Sequence, residues 1–160
     1  MSIYTIGYEG LDMSGFLALL RKSNVETVVD IRELPLSRKP GFSKKGLGET
    51  LNLNGFEYMH VPELGCPKPV RDQYRSDANW KRYQQGFLRY LDQKDEVIAE
   101  MAGLVSTTTC ALLCFEADYN YCHRSMVADA VHRMNGMPVL HLQAAMLKKA
   151  QPESRDLAFA

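Results

Sequence analysis

The sequence lacks an excess of charge, a long apolar run and a dense set of cysteines, and each absence narrows the range of functions. Nineteen basic and nineteen acidic side chains leave no formal net charge, so contact with nucleic acid or a membrane needs a local patch. No apolar run approaches the roughly 18 residues of a membrane span, and the N-terminus has no secretory pattern. We therefore expect a cytoplasmic protein with no membrane partner.

The four cysteines, at positions 66, 110, 114 and 122, are too few for a disulfide framework. In a reducing compartment they are interpreted as core residues, reactive thiols or ligands. Zinc binding by Cys114, Cys122 and His123, with or without Cys66, has poor support because Cys114 lies in an apolar run and no Cys-x-x-Cys pair occurs. The phosphate-loop and dinucleotide fingerprints are also absent. The sequence thus predicts no metal and no cofactor.

Length and periodicity indicate one α/β domain. With 160 residues, 46% of them hydrophobic, the chain is long enough for a single core, predicted over residues 1–150 with a tail at 151–160. Strand-like segments at about 2–6, 26–31, 56–61, 108–116 and 138–141 alternate with helical ones. This order predicts a three-layer, Rossmann-like fold: a mostly parallel sheet of about five strands with helices on both faces. Residues 76–104 predict one long helix or two abutting ones, whereas the prolines at 67 and 69 predict neither helix nor strand.

The stretch from Cys110 to Arg124 organises the predicted site. Its apolar part is typical of a strand buried on both faces, and Cys122 precedes a segment with helical periodicity. Ligands of such sheets bind at the carboxyl ends of the strands, and a helix N-terminus attracts anions. We expect five groups to share that edge, namely Gly7–Glu9, Asp30–Arg32, His60–Glu63, Glu116–Asp118 with Cys122–Arg124, and His141.

Several of these residues have alternative roles. Glu116 and Asp30 are suited to acid and base chemistry, or to ion pairs with nearby arginines. Cys122 fits a nucleophile with a lowered pKa, or a capping or buried small residue. The arginines at positions 32, 38 and 124 are suited to binding a phosphate or carboxylate group of a ligand. Alternatively, they neutralise the nearby acids Asp30 and Glu116. The predicted anion-binding residues are Arg32, Arg38 and Arg124, and the supporting residues are Gly7, Glu9, His60 and His123.

Two further basic segments favour a polyanionic ligand. The loop at 38–45 is basic, and cations alternate with aromatic rings over residues 68–83, which is typical of proteins that bind single-stranded nucleic acid. Trp80 and Tyr83 fit the buried face of a helix equally well. A nucleotide or nucleic acid is the predicted partner, and the sequence does not specify an oligomeric state.

Several separated motifs resemble one protein family over about residues 3–142. They are Thr5–Gly10, Val29–Arg32 followed by Pro35 and Ser37–Arg38, Phe42 with Lys44, and Cys114–Glu116 followed by Cys122–Arg124. In this order they resemble the uncharacterised family Domain of Unknown Function 488. The resemblance implies an α/β fold and leaves the activity unassigned. The residues that match its motifs are Gly7, Asp30, Arg32, Pro35, Arg38, Glu116, Cys122, His123 and Arg124.

The sequence supports two hypotheses about function, which belong to different classes. The first is an enzyme that acts on a phosphate-bearing substrate, a nucleotide or nucleic acid. Glu116 or Asp30 would be its general base, and Cys122 its nucleophile or orienting group. The second is a non-catalytic module that binds nucleic acid or protein through the same edge.

Overall fold

The computed structural model describes residues 1–148, so the predicted tail at 151–160 lies outside the described residues. The strands are β1 (Ile3–Gly7), β2 (Thr27–Asp30), β3 (Glu57–His60), β4 (Cys110–Cys114) and β5 (Val139–Leu142). The helices are α1 (Met13–Lys22), α2 (Lys44–Leu53), α3 (Lys68–Asp77), α4 (Trp80–Leu91), α5 (Asp95–Val105), α6 (His123–Asn135) and α7 (Ala145–Lys148). Within residues 1–148, no helix is long and apolar enough to cross a membrane.

The five strands form one parallel sheet in the order β3-β2-β4-β1-β5. Strand β4 lies at its centre, and all five of its residues are buried. Helices cover both faces, since α1, α2 and α7 pack on one core cluster and α3 to α6 on the other. The predicted three-layer α/β fold is therefore confirmed.

Local signals explain where most elements begin and end. The Asp12 side chain accepts a hydrogen bond of 2.7 Å from the Gly15 backbone N–H and so caps α1. Helix α6 ends at Gly136, whose φ of +73° is the left-handed conformation that glycine adopts without steric cost. Both ends therefore have a cause in the local sequence.

The region between residues 67 and 105 differs in part from its prediction. The two abutting helices expected over 76–104 are α4 and α5. Helix α3 was not predicted, and the expectation that Pro69 excludes a helix was wrong. Pro69 lies in the first turn of α3, where backbone N–H groups have no partner within the helix and proline is tolerated.

Candidate functional site

The parallel register brings the ends of four strands to one edge of the sheet. Gly7 pairs with Cys114, and Asp30 pairs with both Leu113 and His60. A Cβ atom on Gly7 would lie 1.7 Å from the Glu116 backbone oxygen, so β1 passes the loop after β4 only because residue 7 is glycine. Four of the five groups expected at this edge therefore meet there, whereas His141 pairs with Thr5, two residues before Gly7.

A cavity of about 580 Å³ lies at this edge. Five cations line it, namely Arg32, Arg38, Lys39, Arg71 and Arg75, against the two acids Glu33 and Glu116. Aromatic side chains from four separate segments form part of its walls: Tyr8, Tyr74, Tyr83 and Phe115. The cavity therefore combines an excess of positive charge with flat apolar surfaces.

Two thiols lie together beneath this cavity. Alternate residues of β4 face opposite sides of the sheet, and Cys114 shares its face with Leu112, on the side that α6 covers. Cys122 is the N-cap residue of α6. The Sγ atoms of Cys114 and Cys122 are in contact, and the two residues are 1% and 2% exposed. Cys114 and Cys122, whose spacing in the sequence gave poor support for a shared zinc ion, are therefore neighbours in the fold.

The His123 ring is fixed beside the thiols by one backbone hydrogen bond. Its Nε2 lies 2.8 Å from the Ile31 carbonyl oxygen. Because a carbonyl only accepts, Nε2 carries the proton and Nδ1 presents a lone pair. That Nδ1 is 3.9 Å from Cys122 Sγ. Burial lowers the pKa of His123 to about 4, so the imidazole is neutral at neutral pH.

Glu116 brings a carboxyl group to the same place. The residue is exposed, yet its Oε2 accepts a hydrogen bond of 3.4 Å from the Cys122 thiol. Loss of water around the carboxyl group raises the pKa of Glu116 above its ordinary value of 4.5, against the opposing effect of nearby Arg124. A carboxyl group with a raised pKa holds its proton more readily than an ordinary glutamate, which favours a role in proton transfer.

Arg124 is fully buried and uses its donors within the protein. Its Nε donates to Thr5 Oγ1 at 3.1 Å and its Nη1 to Cys114 Sγ at 3.2 Å. The same guanidinium also donates to the backbone oxygens of Glu116 and Ala117. Burial lowers the pKa of Arg124 to about 10. Arg124, predicted to bind an anion, is not among the residues that line the cavity.

Asp30 and Arg32 form a buried pair. Arg32 Nε donates to Asp30 Oδ1 at 2.8 Å, and Nη2 donates to Oδ2 at 2.7 Å. Tyr58 donates a third hydrogen bond to that carboxylate. Burial disfavours charge on Arg32, but its contacts with Asp30 outweigh this effect and raise its pKa. Arg32 lines the cavity, whereas Asp30 lies behind it.

Of the remaining predicted residues, one lines the cavity and two bind backbone groups of nearby loops. Arg38 is exposed, lines the cavity and has no side-chain hydrogen bond or ion pair among residues 1–148. Glu9 accepts a hydrogen bond of 3.0 Å from the Ala117 backbone N–H, and His60 Nε2 lies 2.8 Å from the Arg32 carbonyl. Glu9 and His60 therefore hold loops, and neither lines the cavity.

Sequence reasoning did not assign Lys39, Arg71 and Arg75 to the site. Arg71 precedes Tyr74 by three residues and Arg75 by four on α3, so recognising that helix would have placed all three on one face. Trp80 and Tyr83 stack with ring centroids 4.8 Å apart, and Tyr83 is buried. These two rings are thus part of the core, with Tyr83 also reaching the cavity.

The fold and this edge define a parallel α/β protein with a cation-rimmed cavity over a cluster of thiols, an imidazole and a carboxyl group. A comparison with protein families matches residues 12–131 to the family described as Domain of unknown function DUF488, and the chain belongs to that family. This confirms the resemblance seen in the motifs, although Gly7 precedes the matched range. Searches of curated proteins and of solved structures gave no significant match.

Proposed function

We propose that this protein is an enzyme that acts on a phosphate-bearing substrate, a nucleotide or nucleic acid, bound in the cavity at the carboxyl edge of the sheet. The observation that carries the proposal is the lining of that cavity, where five cations and the acid Glu33 surround the Glu116 carboxyl group. Its volume of about 580 Å³ is within the usual range for small-molecule sites.

The cations differ in their freedom to bind an anion. Arg32 is neutralised by Asp30, and Arg71 lies 3.0 Å from Glu33. Arg38 has no partner within the described part of the chain, and Arg guanidinium groups bind phosphate through two parallel hydrogen bonds. Arg38 is accordingly the main anion contact, and the aromatic walls offer faces on which a nucleobase stacks.

Glu116 is the acid–base group of the proposed reaction. It lines the cavity, whereas Asp30 and Cys122 do not. The contact of 3.4 Å between Oε2 and Cys122 Sγ positions the carboxyl group, and Asp30 holds Arg32 in place. A cytoplasmic location stays a prediction of the sequence.

A second candidate is non-catalytic binding of nucleic acid or protein at the same edge. Leu34 and Leu36, which line the cavity, are 59% and 66% exposed. Exposed apolar side chains beside cations are a feature of interaction surfaces. Under this alternative Glu116 has a binding role only.

A substrate panel combined with one substitution separates the candidates. Inorganic phosphate, nucleoside mono-, di- and triphosphates and short oligonucleotides are screened for thermal stabilisation, and stabilised mixtures are analysed for products by mass spectrometry. We expect Glu116→Gln to retain binding and to lose turnover, whereas Glu100→Gln, on the exposed surface of α5, behaves as wild type. Binding without turnover across the panel supports the second candidate, and no stabilisation by any compound contradicts both the enzyme and a module that binds nucleic acid.

A further inference from the structure

We propose that Cys114, Cys122 and His123 bind a zinc ion at the floor of the cavity. Their donor atoms all lie within 4.8 Å of one another, and all three residues are buried. Two thiolates and one imidazole are a ligand set of zinc sites that keep the fourth position open. Soft sulfur ligands also disfavour magnesium and calcium.

The His123 ring is already oriented for a metal. A histidine that binds a metal commonly donates its other N–H to a carboxylate or a backbone carbonyl, which fixes the ring. Here Nε2 donates to the Ile31 carbonyl at 2.8 Å, so Nδ1 presents its lone pair toward Cys122 Sγ, 3.9 Å away. Sulfur and nitrogen ligands of one tetrahedral zinc lie about 3.5 Å apart, given bond lengths of about 2.3 and 2.0 Å.

The backbone spacing of the two cysteines favours metal thiolates over a disulfide. Their Cα atoms are 7.8 Å apart, and cysteines more than about 7 Å apart are not bridged without backbone movement. Two thiolates on one tetrahedral zinc have sulfur atoms about 3.8 Å apart, from bond lengths of about 2.3 Å. The wider backbone separation is compatible with that arrangement, which requires the two contacting Sγ atoms to move apart around the metal.

The surroundings complete the site. Arg124 Nη1 donates to Cys114 Sγ at 3.2 Å, and a cationic donor stabilises a thiolate. Cys114, His123 and Glu116 all line the cavity, so the open position of the metal faces it. A zinc-bound water there would attack the phosphorus atom of the substrate while Glu116 takes its proton, and the P–O bond to the leaving oxygen would break as Glu116 returns the proton to that oxygen. This last step rests on the proposed function, whereas metal binding does not.

The test is a titration of the full-length, reduced, metal-free protein with Co²⁺ in the absence of nucleotides. We expect one equivalent to bind with thiolate-to-cobalt charge-transfer bands and the visible bands of tetrahedral cobalt, and Zn²⁺ to displace it. Loss of a ligand in Cys114→Ala or Cys122→Ala should weaken binding by at least about 100-fold. The matched control is Cys110→Ala, another buried cysteine of β4, which should bind as wild type.

The wild-type spectrum decides the question even if a variant fails to fold. Absence of the charge-transfer bands in the wild-type protein overturns the proposal, as does unchanged cobalt affinity in folded Cys114→Ala and Cys122→Ala. Cobalt binding in a protein that no phosphate-bearing compound stabilises contradicts the proposed function alone. Stabilisation by a nucleotide in a protein that binds no cobalt contradicts the metal site alone.

Discussion

Arg32 and Asp30 meet in a two-point ion pair that is almost fully buried, with exposed fractions of 7% and 0%. Removing one partner of a buried pair leaves the other charge uncompensated, which typically costs about 3–5 kcal/mol. We predict a loss of this size in the free energy of unfolding for Asp30→Ala, measured by urea denaturation. Asp72→Ala, which removes the exposed partner of Lys68, is the control and should change stability little. Equal stability losses in the two variants would contradict this role of Asp30.

Gly7→Ala should destabilise the protein and disturb the site. The new methyl group would lie 1.7 Å from the Glu116 backbone oxygen and 2.8 Å from Arg124 Nη1, so the loop after β4 has to move. We expect a loss of about 3 kcal/mol or more, at the upper end of overpacking costs. Gly103→Ala is the matched control, because nothing lies within 4 Å of its added methyl group. It replaces a glycine of helix α5 and should stabilise the protein by about 0.5–1 kcal/mol. Thermal and urea unfolding measure both changes.

Much of the fold followed from the sequence because its strongest signals are local. The apolar run of β4, the cap at Asp12 and the glycine after α6 each determine their own element through neighbouring residues. The ends of parallel strands must share an edge, so the position of the site followed from the fold class.

The orientation of side chains at this edge could not be predicted from the sequence, because it depends on tertiary contacts. Arg124 fits an anion pocket by sequence, yet its guanidinium is directed by Thr5 and by backbone oxygens of the loop after β4. Cys114 appeared to be only a core residue, and its contact with Cys122 depends on which face of β4 helix α6 covers. Helix α3 was missed because its first turn contains a proline.

Arg124→Lys should reduce stability although it preserves the charge. One ammonium group cannot replace the planar guanidinium, which reaches Thr5, Cys114 and two backbone oxygens. Since hydrogen bonds to charged groups contribute about 1.5–3 kcal/mol each, we predict a loss of at least that size in urea denaturation. Arg133→Lys at the exposed end of α6 should leave stability unchanged. A fully stable Arg124→Lys variant would show that these contacts do not hold the loop.

The thiols of Cys66 and Cys110 should be unreactive in the folded protein. Burial raises the pKa of Cys66 to about 11 and that of Cys110 to about 12, from an ordinary value of 9.0. The thiolate is the reactive form, so alkylation at pH 8 should modify these residues only after unfolding, as measured by mass spectrometry. Rapid alkylation of either residue in the native state would contradict the burial.

The same two thiols should make the protein less stable in alkali. Their folded-state pKa values lie above the unfolded ones, so their contribution to stability is complete below about pH 9 and is lost as pH rises toward 11 and 12. We predict that the free energy of unfolding falls over this range, and that Cys110→Ala reduces the slope. Urea denaturation at a series of pH values measures this dependence of the free energy of unfolding on pH. An identical slope in the Cys110→Ala variant would show that Cys110 does not contribute to the loss of stability.

The most direct test of the cavity as an anion site is calorimetric titration of a nucleoside triphosphate into the wild-type protein and two arginine variants. Arg38→Ala removes a cavity cation, and Arg133→Ala removes the same charge from the exposed end of α6. We predict that Arg38→Ala weakens binding about tenfold or more, the equivalent of about 1.4 kcal/mol. Arg133→Ala should retain the wild-type affinity, and added salt should weaken wild-type binding. Equal affinities for the wild type and Arg38→Ala, or no binding to the wild type, would contradict an anion site at this edge.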